Sequence, residues 1–158
     1  MSPPSAVSPL NRILLVEDDT GVQDLLRDLL EAEGYRVLSA ASPLDAVDIS
    51  QLHPSLVILD LWFGGRASGW DLLEALHATP GARGIPVMIC TADARMVQRE
   101  ADRLVSLAAT VLLKPFDVDD LLARVGAVCS PSTTPRPRHG SAIRSAVESR
   151  GACQPGAR

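Results

Sequence analysis

The stretch Leu56-Val57-Ile58-Leu59-Asp60 places four apolar residues directly before a carboxylate, after a break at His53-Pro54. A short apolar run with β-branched residues predicts a strand covered on both faces, as in a parallel sheet. Asp60 then lies where this strand ends. Because ligands bind outside the carboxyl ends of the strands in open parallel sheets, Asp60 is a candidate site residue if other polar residues join it.

Similar apolar runs elsewhere in the chain predict the rest of a sheet. The predicted strands are 13–16, 35–40, 56–59, 85–91 and 110–113. Apolar residues at helical spacing predict helices between and after them, over 21–33, from Ser42-Pro43 to 52, over 70–78, from 93 to 108 and from 117 to 129. Five strands alternating with five helices imply right-handed crossovers and a doubly wound α/β domain, a three-layer sandwich with helices on both faces.

The length of 158 residues favours a single domain with extensions. We expect a flexible lead-in over 1–11, the folded domain over 12–129, and a disordered tail over 130–158 that is rich in Arg, Pro and Ser and too short for a second domain. The three cysteines have no metal-ligand spacing, and neither a secretory signal nor an apolar run of about 18 residues is present, so a cytoplasmic protein without a membrane partner is expected.

Charge is distributed unevenly along the chain. Up to Cys129 the sequence has ten basic and eighteen acidic residues, whereas the tail has five Arg and only Glu148. An acidic body repels the nucleic acid backbone, which argues against direct nucleic acid binding by the folded part. The tail arginines fit a solvated extension better than a contact with an anionic partner.

Polar residues collect at the predicted carboxyl ends of four strands: Glu17 and Asp18, Asp60, Thr91, and Lys114. Crowded carboxylates repel one another unless a cation joins them, and Mg²⁺ suits a few hard oxygen ligands together with a phosphate. A metal, a lysine and a hydroxyl around a carboxylate are the parts that phosphoryl transfer requires. Asp60 is best placed to be the nucleophile, because a carboxylate can form an acyl phosphate.

Lys114 is the only lysine, against fourteen arginines. A compact ammonium fits a cramped site where a forked guanidinium would be too large. Pro115 restricts the lysine backbone to extended conformations, and the bond between them is of the kind that adopts the cis form.

The runs Ile13 to Asp19 and Leu56 to Asp60, the strand ending at Thr91-Ala92, and Lys114-Pro115-Phe116 together resemble the receiver domain of bacterial two-component response regulators. The resemblance covers residues 11 to 129 and implies the flavodoxin-like strand order 2-1-3-4-5, for which a chemotaxis receiver is a standard example. It also implies a regulatory domain that catalyses only its own phosphorylation and dephosphorylation, and because the tail is too short for a second domain, no output domain is expected.

The same resemblance assigns the site residues. Glu17 and Asp18 would hold Mg²⁺ with Asp60 and the backbone carbonyl of Trp62, Asp60 would accept the phosphoryl group, and Thr91 and Lys114 would bind it. The donor would be a phosphohistidine on a sensor histidine kinase or phosphotransfer protein. Output would be a contact with a downstream protein target, with a homodimer as a further option.

Three positions depart from the family pattern. Gly64 replaces the usual proline four residues after the acceptor, and Gly69 comes one residue later than the usual glycine. Val111 stands where the family usually has Tyr or Phe, three residues before the lysine. A readout by a turning aromatic ring is therefore not expected.

Three other functions match parts of the sequence. An aspartate-nucleophile phosphohydrolase would need a second acid at Trp62, and a dinucleotide-binding module would need a glycine-rich turn where Glu17-Asp18-Asp19-Thr20 stands. A receiver-like scaffold that works without phosphorylation is favoured by Val111 and the altered loop, and disfavoured by the intact acids, Thr91 and Lys114. We also expect Trp62 to slow phosphate loss by leaning over the acyl phosphate and hindering water.

Overall fold

The computed structural model describes residues 11–41, 44–62 and 68–129. Five parallel strands form one sheet in the order β2-β1-β3-β4-β5. The strands are β1 (Arg12–Val16), β2 (Arg36–Ala40), β3 (Leu56–Leu59), β4 (Val87–Thr91) and β5 (Thr110–Leu113). The helices are α1 (Thr20–Ala32), α2 (Ala46–Leu52), α3 (Gly69–Ala78), α4 (Ala94–Arg99), α5 (Ala101–Ser106) and α6 (Val118–Cys129). The predicted doubly wound α/β class and the strand order 2-1-3-4-5 are confirmed.

Helices cover both faces of the sheet because successive strand residues point to opposite sides. One face packs against α1 and α6 in a cluster that includes Ile13, Leu15, Leu26 and Leu121. The opposite face packs against α2, α3 and α5, and partly against α4, in a cluster that includes Leu14, Val16, Ile49 and Leu73. The central strand β3 is buried along its whole length, as its continuous apolar run predicts.

Two helix starts are capped by aspartate side chains. Asp19 accepts a hydrogen bond from the Val22 amide at 3.1 Å, and Asp117 accepts one from the Asp119 amide at 2.8 Å. Such side chains satisfy backbone donors that have no partner inside the helix. Both caps lie directly after the strand-end residues, so they fix where the chain turns away from the site.

The predicted start of the second helix was wrong. The helix begins at Ala46, and Asp45 caps it by accepting from the Val47 amide at 2.8 Å. Asp45 therefore provides the N-terminal cap, three residues after Ser42, where the sequence pattern placed the start of the helix. Ser42 and Pro43 themselves lie outside the described residues.

The predicted helix from 93 to 108 is two helices, α4 and α5, which meet at Glu100. Asp93 caps the first by accepting from the Met96 amide at 2.9 Å. Between Gln98 and Arg103 the only apolar residue is Ala101, and α4 buries none of its side chains. Little packing therefore holds this segment in one continuous helix.

The predicted extensions, apart from Asn11, lie outside the described residues. Within the part that the structure describes, every helix is too short or too polar to span a bilayer. Cys90 and Cys129 are free thiols buried in the core, and Cys153 belongs to the undescribed tail.

Candidate functional site

Strand register brings Glu17 beside Asp60. Val16 of β1 pairs with Leu59 of β3, so the next residue of each strand emerges at the same edge of the sheet. The Asp60 amide donates to the Val16 carbonyl at 3.0 Å, which fixes the exit of the chain from β3. The two acids therefore leave neighbouring strands at one level.

Lys114 and Thr91 lie at the same edge of the sheet, on the side of β3 opposite to Glu17. Thr91 of β4 pairs with Leu113 of β5, and the Lys114 amide donates to the Thr91 carbonyl at 2.8 Å. The Lys114-Pro115 bond is cis.

Lys114 joins the two acids directly. Its Nζ donates to Glu17 Oε2 at 2.7 Å and to Asp60 Oδ2 at 3.1 Å. The exposed fractions of the three side chains are 19% for Lys114, 2% for Glu17 and 12% for Asp60. One ammonium thus bridges two largely buried carboxylates that lie 97 and 54 residues away in the chain.

This environment raises the pKa of Lys114. Burial is the largest single influence and lowers the pKa, but the hydrogen bonds and negative charges of Glu17 and Asp60 together outweigh it. The lysine is therefore charged at neutral pH, and it offers a fixed positive charge to any anion at Asp60.

The other carboxylate oxygen of Asp60 also accepts a hydrogen bond. Its Oδ1 accepts from the Trp62 amide at 2.9 Å, so both carboxylate oxygens are oriented by donors. The Trp62 side chain is 60% exposed beside this carboxylate. The ring forms part of the rim of the site.

Thr91 is buried, with 2% of its surface exposed. Its Oγ1 accepts from the Asp93 amide at 3.3 Å, and Asp93 in turn caps α4. The hydroxyl that faces the site is thereby connected to the start of α4. A ligand that engaged Thr91 would act directly on this helix.

Gln23 holds the loop that carries the acid pair. Glu17 Oε1 accepts from the Asp19 amide at 3.1 Å, and the Glu17 carbonyl accepts from Gln23 Nε2 at 3.0 Å. Asp18 lies between these anchored positions and is exposed. Sequence reasoning missed Gln23, although its spacing from Leu26 and Leu30 put a polar residue on the buried side of α1.

Gly69, which comes one residue later than the usual glycine of the family pattern, lies where no side chain would fit. A Cβ at this position would lie 2.4 Å from the Asp60 carbonyl oxygen and 2.5 Å from Leu61 Cα, distances that no side chain tolerates. The start of α3 therefore packs directly on the backbone that follows β3. Gly64, the other loop departure, lies outside the described residues.

A cleft of about 850 Å³ opens beside Asp60. Asp60, Thr91 and Lys114 line one end of it. Towards α3 and α5 the walls include Trp70, Met96, Arg99, Glu100 and Arg103. The Arg103 guanidinium carbon lies 4.4 Å from the centre of the Trp70 ring, and its Nε donates to Glu74 at 3.1 Å, so this wall is held by α3. Sequence reasoning missed this wall, because nothing local links Trp70 to Arg103.

The oxygen donors at this edge of the sheet are of the kind that Mg²⁺ binds. Among the described residues, no three acidic, His or Cys side chains stand together as a ready metal cage. Mg²⁺ does not need one, because it keeps several waters and binds through one or two carboxylates. Glu17, Asp18 and Asp60 supply hard oxygen atoms at this edge, and the Trp62 carbonyl follows Asp60 in the chain.

Comparison with known proteins gives the same class as the site. The family model of the response regulator receiver domain matches residues 13–126. The transcriptional regulatory protein CpxR of Escherichia coli is 36% identical over 122 residues, which are 75% of this chain and 49% of that protein. Sporulation initiation phosphotransferase F of Bacillus subtilis is 32% identical over 111 residues, 70% of this chain and 86% of that protein.

Solved structures agree in fold. The receiver domain of the sensor histidine kinase PA1611 from Pseudomonas aeruginosa, which has a magnesium ion coordinated in its active site cleft, matches with a TM-score of 0.64 at 23% identity. The match covers 77% of this chain and 98% of that domain.

The chain therefore belongs to the response regulator receiver domain family. Receiver domains of this family serve phosphorylation-based two-component signalling, as the resemblance implied. The chain spans about half the length of the first curated relatives that it matches.

Proposed function

We propose that this chain is a phosphorylation-controlled signalling switch whose phosphoacceptor is Asp60. The observation that carries the proposal is the bridge from Lys114 to both Asp60 and Glu17 at 3.1 and 2.7 Å. A partly buried lysine that contacts two acids from distant strands places a fixed cation next to a candidate nucleophile. This is the arrangement that phosphoryl transfer to a carboxylate requires.

The proposed transfer uses a phosphohistidine of a sensor kinase or phosphotransfer protein as donor. An Asp60 carboxylate oxygen attacks phosphorus while the bond from phosphorus to the imidazole nitrogen breaks. The imidazole leaves with the bonding electron pair and takes up a proton, and Asp60 becomes an acyl phosphate. Lys114 neutralises negative charge on the transferred group, and the Thr91 hydroxyl donates to one of its oxygens.

Mg²⁺ is the proposed cofactor, held by Glu17, Asp18, Asp60 and the Trp62 carbonyl. When bound, it offsets the charge that builds up on the phosphoryl oxygens. Support comes from the oxygen-rich donor set at this edge of the sheet and from the magnesium ion in the PA1611 receiver domain. On this proposal, phosphoryl transfer requires a divalent cation, and a chelator abolishes it.

The proposed output is a protein contact made in the cytoplasm, without direct binding of nucleic acid or membrane. Thr91 supports the route of the signal, because its hydroxyl is hydrogen bonded to the amide of the residue that caps α4. No α4 side chain is fully buried, and only Met96 and Val97 pack partly against the core, so α4 is held less firmly than helices with buried residues. Val111 leaves no ring to turn, so the signal passes through α4 instead.

The test is phosphorylation by acetyl phosphate, followed by intact mass measurement. With Mg²⁺ the wild type gains the mass of one phosphoryl group, and Asp60→Asn gains none. Asp48→Asn is a matched control, because Asp48 is an exposed carboxylate on α2, and it should react like the wild type. A wild type that gains no mass supports instead the phosphorylation-independent scaffold, the second candidate, which Val111 and the altered loop favour.

A further inference from the structure

Gln23 is a buried polar residue with a specific partner at the site. It lies on α1, 9% of its surface is exposed, and its Nε2 donates to the Glu17 carbonyl at 3.0 Å. It shares the buried side of the helix with Leu26 and Leu30. An apolar residue would suit this side of α1 for packing alone, so the amide points to a need for its hydrogen bond.

The Glu17 carbonyl needs this donor because Glu17 lies one residue beyond β1. The residue is 2% exposed, and its amide reaches the Ala40 carbonyl at 3.3 Å. A buried carbonyl without a hydrogen-bond donor is costly. The side chain of Gln23 supplies the donor that a neighbouring strand would provide within the sheet. The bond fixes the peptide plane between Glu17 and Asp18.

Arg27 determines which way the Gln23 amide faces. Its Nη2 lies 3.4 Å from Gln23 Oε1 and 2.7 Å from Ser39 Oγ, and its Nη1 lies 3.1 Å from Asp24 Oδ1. A guanidinium has only donors, so it selects the amide oxygen and leaves the NH₂ group for the Glu17 carbonyl. A connected chain of hydrogen bonds thus runs from β2 through α1 to the acid pair.

We infer that Gln23 is a positioning residue, whose hydrogen bond to the Glu17 carbonyl sets the acid pair in place for Mg²⁺. The inference rests on the proposed function, because it assigns Glu17 and Asp18 to the metal. In other proteins, substitution of residues that hydrogen bond to metal ligands weakens metal affinity by 10- to 100-fold. Gln23 contacts the backbone of one ligand directly, so an effect at the lower end, about tenfold, is expected.

The experiment is a calorimetric titration of the unphosphorylated protein with Mg²⁺, without any phosphate donor. Gln23→Met keeps the length of the side chain and removes the donor, and it should raise the dissociation constant about tenfold. Gln23→Glu keeps a partner for Arg27 but offers the carbonyl no N–H at neutral pH, and it should weaken binding at least as much. The matched control is Gln51→Met, an exposed glutamine on α2, which should bind like the wild type.

A purely structural role is separated by measuring stability in parallel. If Gln23→Met unfolds at lower urea yet binds Mg²⁺ as tightly as the wild type, the positioning role is overturned. If Gln23→Met does not fold, Gln23→Glu serves instead, because it keeps the partner of Arg27 and removes the N–H donor to the Glu17 carbonyl. Unchanged affinity in that variant also overturns the inference.

Failure of the proposed function gives a different result. A wild type that binds Mg²⁺ but takes no phosphoryl group from acetyl phosphate refutes the switch and leaves the comparison of Gln23 variants valid. A wild type that binds no Mg²⁺ overturns the inference together with the metal part of the proposal.

Discussion

Lys114 Nζ lies 2.7 Å from Glu17 Oε2, although the two residues are 97 positions apart and leave strands on opposite sides of β3. Glu17 is almost fully buried, so its charge depends on this ammonium for compensation. The bridge also extends to Asp60, so the candidate nucleophile lies beside the cation. The fold and the proposed chemistry of the site therefore involve the same side chain.

Replacing Lys114 with Met should destabilise the protein. The substitution leaves two neighbouring carboxylates without a counter-ion, and we expect a loss of about 2 to 3 kcal/mol in the free energy of unfolding. The figure lies below that for fully buried pairs because Lys114 retains 19% exposure. Urea denaturation measures it, and adding Glu17→Gln should recover part of the loss. An additive double variant would show that the two residues are not coupled.

The same bridge predicts how stability depends on alkaline pH. The folded state raises the pKa of Lys114 above its ordinary value of 10.5, so the unfolded chain loses this proton first. The stabilisation is complete below about pH 10 and disappears as the pH rises through the higher folded value. The difference in unfolding free energy between wild type and Lys114→Met should therefore stay constant from neutral pH to about pH 10 and then shrink. A difference that grew above that pH would contradict the assignment.

Replacing Gly69 with Ala should disrupt the site by displacing the backbone beside Asp60. The new Cβ would meet the Asp60 carbonyl oxygen at 2.4 Å, so the start of α3 must move away from Asp60. We expect a loss of about 2 kcal/mol or more, together with slower phosphorylation. Gly84→Ala is the matched control, because no atom lies within 4 Å of its added Cβ, and it should be close to neutral. Equal stability of the two variants in urea would show that a Cβ at Gly69 does not clash with the backbone of Asp60.

The buried thiols should be unreactive in the folded protein. Burial raises the pKa of Cys90 to about 11 and also raises that of Cys129, so little thiolate forms at neutral pH. The side chains are 1% and 6% exposed, which also blocks access by a reagent. In a Cys153→Ser background, dithionitrobenzoate should label both thiols only after urea unfolds the protein. Labelling of either thiol within minutes in buffer alone would contradict their burial.

Much of the fold followed from the sequence because its strands are short apolar runs that end in polar residues. Leu56 to Asp60 predicted a fully buried strand, and the observed strand β3 is buried throughout. The residues Glu17, Asp60 and Lys114 were expected to meet because parallel strands share one carboxyl edge, and hydrogen bonds join them there. Their roles in metal binding and phosphoryl transfer remain predictions.

Other features depend on packing that no local pattern carries. The break at Glu100 reflects a helix with too few buried side chains, whereas helical spacing alone suggested continuity. α2 starts at Ala46, after its cap Asp45, whereas the sequence pattern placed the start at Ser42-Pro43. The contact of Arg103 with Trp70 joins distant parts of the chain and is invisible to sequence periodicity.

Trp62 gives the last prediction, a slow loss of phosphate from Asp60. Its amide is anchored to Asp60 Oδ1 at 2.9 Å, which keeps the residue beside the carboxylate, and its ring is 60% exposed and lines the cleft. A ring in this place can lean over an acyl phosphate and exclude the attacking water, and Asn lacks that bulk. Trp62→Asn should therefore shorten the lifetime of phosphorylated protein several-fold, and Trp62→Phe should preserve most of it. The lifetime is followed by intact mass after removal of acetyl phosphate, and an equal lifetime in wild type and Trp62→Asn would show that the ring does not shield the phosphate.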